Sequence, residues 1–242
     1  MSATARLRCA IACLIGSAAT EEEMLLASVS GRIEESGSER RWAAVPTVAH
    51  NTEFKAQQAQ RLSAVLAGRT PAEFADIDHA SATVYAAYAA FPADAVTASS
   101  RQVTAALLDG VRALTDEDLL DPARHPWLHG RTLWLQVIVR GFWHPTGHVA
   151  DYYLGHDQPG RAVALQEHML AVTRYLGAPD QVAGMAAYSL ACAQARSDRT
   201  HEAAQTLAEA IALNPDVRAN AARDPDLEPL RDGGRLTAIL AD

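Results

Sequence analysis

Apolar residues recur at helical spacing along almost the whole of this chain, and alternating β-branched and aromatic runs are nearly absent. That pattern confines the chain to an all-α fold. Residues 21–35 can form a helix with an acidic first turn. Pro46 opens a second helix, about 46–67, which Gly68 ends. Thr70-Pro71-Ala72-Glu73 starts a third, running through Tyr85 and Tyr88 to about Phe91. A fourth covers about 93–114, with Val96, Val103, Leu107, Leu108 and Val111 on one side, and Thr115 to Asp118 reads as a capping segment. Residues 131–155 are the longest apolar helical stretch, interrupted at Pro145, and 160–176 repeats apolar residues at helical spacing. Gly177-Ala178-Pro179 marks a boundary, beyond which lie Ala-rich helices at 180–196 and 200–213 and a short-helix tail. The expected organisation is a helical bundle over 1–178 and a helical module over 179–242.

Length and composition limit what such a fold can do. The chain has 242 residues, 49% hydrophobic and 21% charged, enough to build a packed core. Its net charge of −8 speaks against nucleic-acid binding. Lys55 is the only lysine, and the other 20 basic residues are arginines, whose planar forks suit carboxylates and phosphates. Three cysteines, Cys9, Cys13 and Cys192, cannot make a disulfide framework, which fits a reducing cytoplasm. No run reaches the roughly 18 apolar residues of a membrane span. Arg6 and Arg8 before the apolar stretch Cys9 to Ile15 faintly imitate a signal peptide; the alternatives are an amphipathic first helix or a poorly ordered start.

The chemistry concentrates on one stripe. Gln136, Arg140, His144, His148 and Tyr152 follow one another at intervals of four in an otherwise apolar helix. Buried polar groups must be satisfied inside the protein, by internal hydrogen bonds, by lining a cavity or by binding a metal. Two imidazoles four apart project from one helix face and can grip one divalent cation. Pro145 puts His144 at a kink or a helix restart, because the residue before a proline avoids the α region. On the second helix His50, Gln57 and Arg61 fall within about 40° of one another, on the side that Phe54 and Val65 turn inward. His50 is a candidate third ligand or a satisfied core histidine. Glu53 beside it is a candidate extra ligand or base. Three of the four tryptophans, Trp127, Trp134 and Trp143, cluster in 127–143, as pocket wall or as core. Arg131 and Arg140 are candidates for binding an anionic group, or for capping carboxylates within the bundle.

Taken together, Val48-Ala49-His50 and His144-Pro145-Thr146-Gly147-His148 resemble the metal-binding elements of the DinB-like superfamily, over roughly residues 20–176. Within that superfamily the pattern looks most like the ClbS/DfsB-like branch. The resemblance implies an up-up-down-down four-helix bundle in which His50, His144 and His148 hold a divalent metal such as zinc or nickel. The usual second motif has a further His or Gln near the pair, and here Pro145 intrudes instead. The tail resembles a tetratricopeptide-type unit, through Tyr188 to Cys192, Ala203 to Leu213, Asn214-Pro215-Asp216 and Asp224 to Leu227. A single copy must pack on something else to be stable.

The function implied is a metal-dependent enzyme acting on a small electrophilic metabolite by thiol transfer, hydrolysis or isomerisation, in natural-product metabolism or detoxification. A low-molecular-weight thiol is a possible second cofactor. Glu53, Arg140 and Tyr152 are then the catalytic candidates, and Gln57, Arg61, Trp127, Arg131 and Trp143 the substrate-binding ones. The partners expected are a small molecule and, as an option, a second copy of the chain, with neither nucleic acid nor membrane. The alternatives are a non-catalytic protein that sequesters a metabolite for self-resistance, and an interaction scaffold working through the tail.

Overall fold

The computed structural model describes residues 2–30, 42–73, 87–88 and 91–241. All regular structure among them is helical, with no strand. The helix expected at about 70–91 falls almost wholly outside the described residues. By compactness the chain divides into two units, Met1–Tyr152 and Tyr153–Asp242. The turn at Gly177-Ala178-Pro179, where the sequence reading placed a boundary, joins two helices of the second unit.

The first unit opens with α1 (Ala3–Ser28), which starts well before the expected residue 21. Ser2 caps it by accepting a hydrogen bond from the Ala5 amide. The apolar stretch that imitates a signal peptide lies inside α1, and Ile11, Leu14 and Ile15 are fully buried. Helix α2 (Ala44–Leu66) begins two residues before Pro46. It ends in a Schellman turn: Gly68 has φ +66°, its N–H bonds Val65, and the Arg69 N–H bonds Ala64. Helix α3 (Ala93–Ala113) matches its dipole with Asp94 in the first turn and Arg112 in the last. The Thr115–Asp118 segment forms a full capping box on the short α4 (Asp116–Leu120). Arg8 ties α1 to this corner through the Val111 and Leu114 carbonyls, both at 2.8 Å, and the Asp116 carboxylate at 2.9 Å.

The long apolar stretch is a composite rod. Helix α5 (Leu133–Ile138) runs into a π turn over Val139–Trp143, and α6 (His144–Gly155) follows. The irregularity therefore precedes Pro145. Proline lacks an N–H and its ring clashes with the carbonyl four residues back in a regular helix. A π turn widens the backbone at that place. His144 consequently keeps α-helical angles (φ −60°, ψ −49°), contrary to its position before proline, and its N–H reaches back five residues to Val139. The Thr146 hydroxyl donates to the carbonyls of Phe142 and Trp143. Gly141 lets the turn press on α1: a Cβ there would come within 2.8 Å of Ile15 Cγ1. Helices α1 and α2 both pack on this turn, and α2 packs extensively on α3.

Among the described residues, the interior of this unit contains one fully buried ion pair. Lys55 Nζ lies 2.5 Å from Glu22 Oε2, with both side chains essentially inaccessible. Ser100 and Thr104 hydroxyls from α3 lie 3.2 and 3.3 Å from the same ammonium. The only lysine of the chain thus joins α1, α2 and α3.

In the second unit, α7 (Pro159–Tyr175), α8 (Asp180–Ala195) and α9 (Thr200–Leu213) pack in sequence, followed by α10 (Val217–Ala221), α11 (Glu228–Arg231) and α12 (Arg235–Ala241). Gly177 (φ +62°) closes α7. Helices α8 and α9 approach so closely that a Cβ on Gly184 would lie 2.5 Å from Asn214 Cβ. The Tyr188 hydroxyl donates to Asp224 Oδ2 at 2.5 Å, and this carboxylate also caps the turn at Pro225–Leu227. No described helix is long and apolar enough to cross a membrane.

Candidate metal centre

Helix α2 and the start of α6 bring three imidazoles together. The Nε2 atoms of His50 and His144 are 3.4 Å apart, and those of His148 and His144 are 3.1 Å apart. One ligand nitrogen from each of the three lies within 4.8 Å of the others. The π turn makes this possible: it carries the chain past Pro145 in helical form, so His144 and His148 remain one turn apart on one face. Asn51, next to His50, fastens the two elements by donating to the Pro145 carbonyl at 3.3 Å.

The walls are aromatic. Trp42 stacks on His148 with centroids 6.2 Å apart and meets the edge of His50 at 5.2 Å. Phe54 packs against His50 at 4.6 Å and His144 at 4.8 Å. His50 is 1% exposed. Burial, with the neighbouring His148 and Arg140 adding to it, pushes the His50 imidazole down to about 3. Burial and the charges of His148, His50 and Arg140 push His144 down to about 2. His148 is lowered by burial, with Asp151 opposing. The cluster is therefore uncharged at neutral pH.

Three neutral imidazoles facing one another are poorly served by themselves. The Nδ1 atoms of His50 and His144 are buried without a hydrogen-bond partner. A neutral imidazole carries one N–H, so mutual Nε2 contacts cannot satisfy all three rings. Neutral imidazole nitrogens are ligands that divalent cations accept. The donor set is compatible with a metal site.

The remaining candidates divide into those beside the triad and those away from it. The Arg140 guanidinium sits 5.0 Å over the Phe54 ring, and Arg61 sits 4.5 Å over the Trp127 ring. Arg61 also donates to the Ala72 carbonyl. Burial holds both guanidiniums below their ordinary range; the charge of Arg61 adds to this at Arg140, while Glu73 opposes it at Arg61. Tyr152 is buried, one turn beyond His148. Glu53 is half-buried and accepts from the Tyr88 hydroxyl at 3.1 Å. Arg131 is exposed, and Gln57 and Trp143 are half-buried. The fully buried glutamine on α2 is Gln58, not Gln57, and both its polar atoms lack a protein partner.

Trp42 is the residue that the sequence reading missed. It stands before α2, outside any periodic pattern, and nothing in its spacing ties it to the histidines. Comparison of the chain with family profiles, curated proteins and solved structures found no significant match.

Proposed function

We propose that the chain is a metal-dependent enzyme of DinB-like type that acts on a small electrophilic metabolite. The observation that carries this reading is the convergence of His50, His144 and His148 with their ligand nitrogens within 4.8 Å. A bound zinc- or nickel-type cation would supply Lewis acidity and a nucleophile active near neutral pH. The protein's own groups have separate tasks. Trp42 and Phe54 exclude water from the triad, and the three imidazoles stay neutral and able to ligate. Arg140, over Phe54, orients an anionic group of the substrate, with Arg61 and Trp127 lining the approach. Glu53 and Tyr152 are the groups to hold or move a proton. Thiol transfer, hydrolysis and isomerisation all fit this arrangement, and a low-molecular-weight thiol is the natural co-substrate for the first. The α8–α9 hairpin supports the tetratricopeptide-like reading of the tail.

A second reading has its own support: the Nε2 contacts of 3.1 and 3.4 Å are also hydrogen-bond distances. On that reading the protein sequesters a metabolite without turning it over. Turnover of a panel of epoxide, enone and activated-ester electrophiles, with and without a thiol, separates the two. Enzyme activity is expected to fall on chelation and return with zinc or nickel, and to be lost in His148→Ala. Full activity of His148→Ala, or ligand binding without turnover, would overturn the enzymatic reading.

A further inference from the structure

A second cluster of ligating groups lies on α1, away from the histidines. Cys9 and Cys13 are both exposed. Free cysteine is among the residue types most often buried, so two exposed thiols one helical turn apart are unusual. Cys9 and Cys13 lie four residues apart on α1, so both side chains project from one face, and burial with the neighbouring Cys9 pushes the Cys13 thiol up.

Helix geometry decides what such a pair can do. Residues four apart on a helix hold their Cβ atoms about 5–6 Å apart. A disulfide needs Cβ atoms about 3.5–4.5 Å apart. A direct S–S bond therefore requires α1 to unwind at Cys9–Cys13, where Ala10, Ile11 and Leu14 are core residues. A bridge through one central atom has no such requirement. Two sulfurs held at about 2.3 Å from one tetrahedral cation lie about 3.8 Å apart, a separation the intact helix allows. Soft sulfur ligands also select a different class of ion from the imidazoles of the triad.

We propose that Cys9 and Cys13 form a bidentate dithiol site for one thiophilic metal or metalloid cation. Binding replaces the two S–H protons without oxidation or reduction. With a trivalent arsenical such as phenylarsine oxide, two As–S bonds form, the As–O bond is lost, and the oxygen leaves with both protons as water. Cys192 takes no part, being buried beside Asp224, which with burial holds its thiol up.

The test is titration of the full-length protein with phenylarsine oxide, read by native intact mass in the presence of excess glutathione. One adduct per chain is expected. Cys9→Ser and Cys13→Ser should each weaken it by roughly 100-fold or more, the loss of a two-point attachment, while Cys192→Ser leaves it unchanged. Circular dichroism before and after addition should show no loss of helix. Absence of the adduct, its persistence in Cys9→Ser, or helix loss on binding would overturn the proposal. So would formation of a Cys9–Cys13 disulfide with mild oxidant and unchanged helicity.

Discussion

His50 Nε2 lies 3.4 Å from His144 Nε2, although the two residues are 94 positions apart in the chain. Two different elements supply the halves of this contact, and the Nδ1 atom of each ring is buried without a hydrogen-bond partner. Trp42 packs against the His50 ring and Phe54 against the His144 ring. The pair is therefore held neutral at a cost that depends on pH.

The sign of that dependence follows from the depressed imidazoles. His50 falls to about 3 and His144 to about 2 in the folded protein, against an ordinary value near 6.5. Above pH 6.5 both folded and unfolded imidazoles are neutral, and the protein keeps its full stability. Below it the unfolded state takes up protons that the folded state refuses. Stability falls by up to about 1.4 kcal/mol per pH unit for each such imidazole. Urea unfolding of metal-free protein between pH 8 and 5 is expected to show this loss, and a His50→Gln, His144→Gln double variant a flatter profile.

Lys55→Met should destabilise the protein by about 3–5 kcal/mol, because it leaves the Glu22 carboxylate buried without its countercharge. Glu22→Leu combined with Lys55→Met should recover most of that loss, since apolar groups of similar size need no partner. Chemical denaturation of the three proteins measures both effects. A single variant as stable as the double would show that the pair is not the determinant.

Gly141→Ala is expected to cost about 1–3 kcal/mol by overpacking, as the added methyl meets Ile15 Cγ1 at 2.8 Å and Leu107 Cδ2 at 3.2 Å. In an Ile15→Ala background the methyl enters vacated space, and the cost should shrink. This non-additivity, read from unfolding midpoints, checks the contact between α1 and the π turn.

Gly184→Ala tests the second unit in the same way. Its Cβ would lie 2.5 Å from Asn214 Cβ and 2.9 Å from the Asn214 backbone nitrogen, and backbone cannot swing aside. A loss of about 1–3 kcal/mol is expected. An unchanged melting temperature would contradict the close approach of α8 and α9.

Regular helices were the readable part of this sequence. The α9 limits match the expectation, and α2 and α3 differ from theirs by a residue or two, because Gly68, Pro92 and Asn214 punctuate them in the chain itself. The Thr115–Asp118 capping box was readable for the same local reason. The π turn was not, because Pro145 advertises a break while the widened turn that accommodates it lies upstream, in Val139–Trp143. The three histidines were visible as spacing, but their meeting depends on tertiary packing of α2 against the π turn. Trp42 carried no pattern. Lys55 stood out only as a compositional oddity, and its burial against Glu22 requires knowing that α1 and α2 face each other there. The division at Tyr152 falls inside a helix, where no turn signal exists to mark it.

The central claim rests on the triad as a cation site, and elemental analysis tests it most directly. Full-length Cys9→Ser, Cys13→Ser protein, purified without chelator and after loading with zinc or nickel, should carry one divalent ion per chain that survives dialysis. His144→Ala in the same background, with unchanged helicity, should lose it. A Cys9→Ser, Cys13→Ser protein that holds no divalent ion after loading, or a His144→Ala protein in that background that holds as much, would contradict the account.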